Sequence, residues 1–134
     1  MSDRQDVSGV WYGRWRAEHP AVAPGSFIAL LEEEGGGITG TITEPDPDGD
    51  DGVLRALVGG QRAGADISWV KQYDGAGRLA HAVRYAGSVN ADATEIVGRW
   101  QLEGFTGSFA MNREKFDIAE LEKTEALRIP LPGL

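Results

Sequence analysis

The sequence contains no cysteine among its 134 residues and only two histidines. The absence of cysteine excludes disulfides, thiolate metal ligands and thiol nucleophiles, and it fits a reducing compartment. Apolar stretches are only a few residues long, far short of the roughly 20 that a membrane-spanning helix needs, and the polar residues 1–6 contain no signal-peptide core. We therefore expect a cytoplasmic protein with no membrane partner.

Positive charge is also scarce, with 13 Lys and Arg against 21 Asp and Glu and a formal net charge of −8. Phosphate backbones are bound by surfaces rich in Lys and Arg, so a nucleic-acid partner is not expected. The chain has no G-x-S-x-G, H-E-x-x-H or Walker spacing. The acidic run at 46–51 has Leu57 where a calcium loop requires glutamate. We expect no metal and no cofactor.

Glycine, in contrast, is abundant, and most of the 19 glycines separate short segments of alternating apolar and polar residues. This pattern is typical of an all-β protein with tight turns. The predicted strands cover 9–17, 26–33, 38–43, 53–60, 66–73, 79–89, 95–102 and 105–113. The length predicts a single domain over 1–134, with the eight strands in 9–113.

One short sequence motif occurs twice, once near each end of this strand region. Gly13-Arg14-Trp15 leads to Gly25-Ser26-Phe27, and Gly98-Arg99-Trp100 leads to Gly107-Ser108-Phe109. Because every connection between strands is hairpin-like, the simplest fold is an eight-stranded antiparallel up-and-down barrel. Because side chains alternate between the two faces of a strand, the Trp and Phe of each motif are expected to point inward and the Arg and Ser outward.

The tail at 114–134 has a different period. Residues 117–120 have a capping-box pattern, helix formers continue to Leu127, and Pro130 and Pro132 follow. We predict one short C-terminal helix that packs against the barrel.

The first strand begins Gly9-Val10-Trp11, and it resembles the G-x-W start of the calycin barrels. In that group the Trp closes one end beneath a basic residue of the last strand, and alternation points Arg113 inward for this role. The order of further short motifs is similar to that of avidin and streptavidin. These motifs are Gly25-Ser26-Phe27-Ile28, Ile38-Thr39-Gly40-Thr41, Trp69 four residues before Tyr73, and Tyr85-Ala86-Gly87.

This resemblance implies that the aromatic residues around the ligand are Trp15, Trp69, Tyr85 and Trp100. Gly13 and Ile42 stand where the family has the Asn and Tyr that hydrogen-bond biotin, so tight biotin binding is not expected. The opening also resembles haem-binding nitrobindin-like barrels, which use a His near the chain end. No His follows His81, which disfavours haem.

Aromatic and basic side chains on the inward face are the candidate ligand-binding residues, because small-molecule pockets combine apolar walls with a few polar groups. Alternation points Lys71 and His81 inward near the predicted mouth, where two basic groups could take a carboxylate or an enolate. The alternative is that a bulge carries Lys71 to solvent. The candidates are Trp15, Phe27, Trp69, Lys71, Tyr73, His81, Tyr85 and Phe105.

Three functions follow from these patterns. The leading hypothesis is a non-catalytic protein that binds a small apolar or planar molecule in the barrel mouth. The alternatives are a lyase- or isomerase-type enzyme that uses Lys71 or His81 in the lumen, and a filled, structural barrel that binds another protein. Ile28, Leu30, Val70 and Val97 point outward by alternation and predict a homodimer or homotetramer through the barrel walls.

Overall fold

A computed structural model describes residues 5–45, 52–73 and 82–113. Eight strands form the regular structure of this part of the chain. They are β1 (Gly9–Ala17), β2 (Gly25–Glu34), β3 (Gly37–Pro45), β4 (Val53–Ala63), β5 (Asp66–Tyr73), β6 (Ala82–Val89), β7 (Glu95–Leu102) and β8 (Phe105–Asn112). Each strand pairs antiparallel with the next, and β8 pairs with β1 to close the barrel. The predicted eight-stranded antiparallel barrel is confirmed.

The predicted bounds of β1, β5 and β7 agree with the structure, whereas β3 and β4 are longer than expected. The prediction ended β3 at Thr43, but Glu44 and Pro45 continue its ladder by pairing with Leu54 and Val53 of β4. The extension places Glu44 on the same face as the buried Ile42. Residues 79–81, predicted as the start of β6, and the predicted helix within 114–134 lie outside the described residues.

The two copies of the motif lie in the first and last hairpins of the barrel and have the same register. In the hairpin of β1 and β2, Gly13 lies opposite Phe27 and Trp15 lies opposite Gly25. In the hairpin of β7 and β8, the corresponding pairs are Gly98 with Phe109 and Trp100 with Gly107. Each large ring therefore faces a glycine across the ladder, which gives the rings room inside a narrow barrel.

Trp11 closes one end of the barrel and is fully buried. Its indole Nε1 donates a hydrogen bond to the carbonyl of Val7 at 2.8 Å. The guanidinium carbon of Arg113 lies 4.5 Å from the centroid of the Trp11 ring. Arg113 also donates from Nε to the carbonyl of Ala93 at 2.7 Å and from a terminal nitrogen to the carbonyl of Asp6 at 2.6 Å. The predicted pair of Trp11 and Arg113 is thus present.

A buried ion pair lies at the same end. Arg62 donates to both carboxylate oxygens of Glu33, at 2.7 and 2.8 Å, and both side chains are almost completely buried. The amide of Val7 donates to the same carboxylate at 3.2 Å. This bidentate geometry ties β2 and β4 to the segment that precedes β1.

Apolar side chains do occur on the outer wall, as alternation predicts. Ile28, Leu30, Val70 and Val97 are each more than two-fifths exposed. Oligomerisation through this wall stays a prediction. No helix long and apolar enough to cross a membrane is found in 5–45, 52–73 or 82–113.

Candidate ligand site at the open end of the barrel

Lys71 lies inside the barrel, where its side chain is only 4% exposed. It occupies the inward parity of β5 between Trp69 and Tyr73, and it pairs regularly with Val58 on one side and Val83 on the other. The regular ladder leaves no bulge at this position, so the alternative that carried Lys71 to solvent is wrong.

Lys71 forms a polar triad with Glu44 and Tyr73. Its Nζ donates to the Tyr73 hydroxyl at 2.8 Å and lies 3.5 Å from Oε2 of Glu44. The Tyr73 hydroxyl in turn donates to Oε1 of Glu44. The Lys71 ammonium also lies 4.6 Å from the ring centroid of Tyr73 and 5.5 Å from that of Tyr85. The triad joins β3 to β5 through the lumen, and it surrounds one amine with a carboxylate and two phenol rings.

Burial shifts the pKa values of Lys71 and of the two phenols beside it. Desolvation lowers the pKa of Lys71, and the nearby Glu44 carboxylate opposes that shift. Desolvation raises the pKa of Tyr73, reinforced by its hydrogen bond to Glu44. Burial likewise raises the pKa of Tyr85, with a further contribution from the charge of Glu44. Both phenols are therefore neutral at neutral pH, and the amine loses its proton more easily than a solvent-exposed lysine does.

A small cavity of about 100 Å³ borders the triad. Its described lining residues are Trp15, Lys71, Tyr73, Val83, Tyr85, Trp100 and Leu102. Trp15 and Trp100 meet edge to face across it, with ring centroids 5.9 Å apart. The buried indole Nε1 of Trp100 has no hydrogen-bond partner among the described residues. The cavity thus combines aromatic walls with one ammonium.

Trp69 belongs to the packed core rather than to the cavity wall. Its ring stacks on Tyr85 with centroids 5.0 Å apart and an interplanar angle of 11°. Phe109 packs edge-on against both rings, at 5.3 and 5.1 Å. This three-ring cluster fixes the orientation of Tyr85, one of the residues that line the cavity.

Phe27 lies at a second opening. The ladder between β2 and β3 extends only as far as the pair Ile28 and Thr43, so the two strands separate towards the open end. A cleft of about 400 Å³ forms there, and Phe27 and Glu44 are among its lining residues. Glu44 therefore belongs to the triad and also borders a cleft in the barrel wall.

Phe105 and His81 are the two predicted residues that remain. Phe105 is 45% exposed, and its ring packs against His19 with centroids 6.1 Å apart. His81 lies outside the described residues. The structure thus brings together Trp15, Lys71, Tyr73 and Tyr85 of the predicted set, and it places Phe27, Trp69 and Phe105 around them.

One residue of the site, Glu44, lies outside every set of residues predicted from the sequence. Glu44 was assigned to a loop, although its parity with Ile42 would have pointed it inward if the strand had been extended by two residues. Trp100, which the avidin resemblance implies but which is not among the eight candidates, lines the cavity because its ring lies over Gly107 and reaches towards Trp15.

Comparison with family models gave no match, and no curated protein matched the chain either. Among solved structures, the chain is similar to a protein described as a de novo design of a fluorescence-activating beta barrel. The TM-score is 0.60 at 15% sequence identity, and the match covers 85% of this chain and 100% of that chain. At this identity the likeness establishes the barrel fold.

Proposed function

We propose that the protein binds a small molecule at the open end of the barrel, between the aromatic walls of the cavity and the polar triad. The observation that carries this proposal is the placement of the buried Lys71–Glu44 ion pair beside an unfilled space with aromatic walls. A charge pair removed from water is no more stabilising than apolar side chains of the same volume, and is often less so. Stability alone therefore gives no reason for either the pair or the space.

The dimensions of the cavity limit the ligand. At about 100 Å³ it is smaller than the engineered apolar cavity of about 150 Å³ that binds benzene. The enclosed part of a ligand is therefore a group of few non-hydrogen atoms. The ammonium of Lys71 favours a group that carries a hydrogen-bond acceptor.

The structural neighbour supports this reading at the level of the fold, since its description is that of a designed fluorescence-activating barrel. A relationship to the calycins, and within them to avidin, also belongs to the proposal. It is supported by the Trp11–Arg113 pair at the closed end. Cytoplasmic location and assembly through the outer walls are further proposals, the latter supported by the exposed Ile28 and Leu30.

Indole N–H signals in a proton–nitrogen NMR spectrum test the proposal, because the four tryptophans report on different places. Phenol, cyclopentanone and propionate are suitable probes of different polarity. We expect a binding probe to shift the signals of Trp15 and Trp100 and to leave Trp11, at the closed end, unchanged. Assignment uses single Trp→Phe variants.

Substitution provides the matched control. Trp15→Phe reduces the affinity for a bound probe, whereas Tyr12→Phe, on the outer wall, leaves it unchanged. If no probe shifts any indole signal, or if Trp11 shifts as much as Trp15, the proposed site is wrong and a filled, structural barrel is the better description.

A further inference from the structure

We propose that Lys71 forms an imine with a small aldehyde or ketone that enters the cavity, so that the barrel holds carbonyl compounds covalently and reversibly. This inference rests on the proposed function, because it names the ligand class of the same site. Its basis is the position of the amine: Nζ lies in a buried cavity wall, 2.8 Å from a phenol hydroxyl and 3.5 Å from a carboxylate oxygen.

The charge of the triad favours a neutral carbonyl over a carboxylate ligand. Glu44 already balances the Lys71 ammonium, so an anionic ligand would add a second buried negative charge beside Glu44. A carbonyl compound brings no charge. It therefore leaves the charge balance between Lys71 and Glu44 unchanged.

The groups around the amine match the steps of imine formation. The ammonium first passes one proton through the Tyr73 hydroxyl to the Glu44 carboxylate. The neutral amine then attacks the carbonyl carbon, a C–N bond forms, and the carbonyl π electrons move to oxygen. One amine proton is transferred to that oxygen to give a carbinolamine. The second amine proton leaves with the hydroxyl as water, and a C=N bond remains, so the sum is amine plus carbonyl giving imine plus water.

Tyr73 and Glu44 are placed to relay these protons, since the Tyr73 hydroxyl accepts from Nζ and donates to Glu44. Burial also favours the reactive form, because desolvation lowers the pKa of Lys71. When the imine is protonated, the Glu44 carboxylate remains beside it as a counter-ion. The apolar walls limit the water that would reverse the reaction.

The sequence offers internal comparators for the test, because lysine also occurs at positions 115 and 123. The full chain is incubated at neutral pH with propanal and sodium cyanoborohydride, which reduces an imine to a stable secondary amine. Intact mass and peptide mapping then locate the propyl groups. We expect Lys71 to carry most of the label and to lose this preference when the reaction is repeated in urea.

Two controls make the outcomes distinguishable. In Lys71→Arg, labelling falls to the amount carried by the other amines. The alcohol 1-propanol, which cannot form an imine, is tested for shifts of the Trp15 and Trp100 indole signals. If 1-propanol shifts them while Lys71 is labelled no faster than Lys115 and Lys123, imine formation is wrong and the binding site stands. If neither propanal nor 1-propanol has any effect at the site, both proposals fail.

Discussion

The indole of Trp15 lies against Gly25, the residue directly opposite it on the neighbouring strand. A Cβ atom on Gly25 would lie only 2.6 Å from the ring. Trp100 has the same relationship to Gly107, where a Cβ would lie 2.5 Å from the ring and 2.0 Å from the carbonyl oxygen of Arg16. The two tryptophans that meet across the cavity are thus each positioned by a glycine, and the backbone of two hairpins shapes the site.

Alanine at these glycines is predicted to have graded effects. Gly107→Ala collides with backbone that cannot move freely, and we expect it to lower the free energy of unfolding by about 2 to 3 kcal/mol. The three atoms nearest to a Cβ on Gly25 all belong to the half-buried Trp15 ring, which can turn away, so we expect Gly25→Ala to lose about 1 kcal/mol and to change the cavity. Urea unfolding measures the first effect, and the Trp15 indole signal reports the second.

Gly59→Ala is the control, because its added Cβ meets no atom within 4 Å. We expect its stability to be unchanged or higher by a few tenths of a kcal/mol, since alanine restricts the unfolded chain. An equal loss in all three variants would mean that glycine flexibility, and not ring packing, matters at these positions.

The buried pair of Lys71 and Glu44 should show strong energetic coupling. Lys71→Met leaves the carboxylate without its cation and is expected to lower stability by about 3 kcal/mol, and Glu44→Leu does the same to the ammonium. The double variant should recover most of this loss because neither charge then remains buried. A double-mutant cycle by urea unfolding measures the coupling, and additive losses would show that the two side chains do not interact.

Alternation was sufficient to predict the barrel and most of its inward face. Trp11, Trp69 and Phe109 are buried as expected, because a side-chain period of two is fixed once a strand is placed. The inward position of Lys71 followed from the same rule. Its burial contradicts the usual preference of lysine for the surface. Alternation alone does not exclude a bulge at Lys71, whereas the regular pairing of β5 with β4 and β6 does.

The partners of Lys71 could not be derived in the same way. Glu44 lies 27 positions earlier in the chain, and its contact with Lys71 depends on the stagger of β3 and β5 relative to β4, the strand between them. Single-strand periodicity carries no information on that stagger. The separation of β2 and β3 beyond Ile28 has the same origin, because Phe27 and Glu44 retain their own partners in β1 and β4.

Stability at high pH should depend on the buried phenols. The pKa of Tyr85 is raised by burial, so the folded barrel keeps this proton at pH values where the unfolded chain loses it. A raised pKa contributes stability that is fully present below the unfolded value of about 10 and is lost as pH rises above it. Tyr85→Phe should therefore lose less stability than the wild-type chain between about pH 9 and pH 11.

Lys71 acts in the opposite sense, since its lowered pKa makes the folded state more stable as pH rises towards the unfolded value of 10.5. Because Lys71 is present in both chains, its contribution largely cancels in the comparison with Tyr85→Phe. Tyr12→Phe, on the exposed outer wall, is the matched control. If Tyr85→Phe and the wild-type chain lose stability in parallel, Tyr85 does not retain its proton in the barrel.

Arg113 is expected to stabilise the closed end by its geometry as much as by its charge. It donates to the carbonyl groups of Asp6, Ser8 and Ala93 while its guanidinium lies over the Trp11 ring. Lysine keeps the charge but cannot reach three separated acceptors and a ring face at once. Arg113→Lys should therefore lower the free energy of unfolding by about 2 kcal/mol, the sum of two net hydrogen bonds.

The same substitution should loosen the segment before β1 selectively. Without the guanidinium, the carbonyl groups of Asp6 and Ser8 lose their donor, and the amide of Val7 is held only by its bond to Glu33. Hydrogen exchange should accelerate at Val7 more than at Ala29, which lies mid-barrel. Arg14→Lys on the outer wall is the control and should change neither quantity. If it destabilises the barrel as much as Arg113→Lys does, the effect belongs to arginine in general and not to the contact with Trp11.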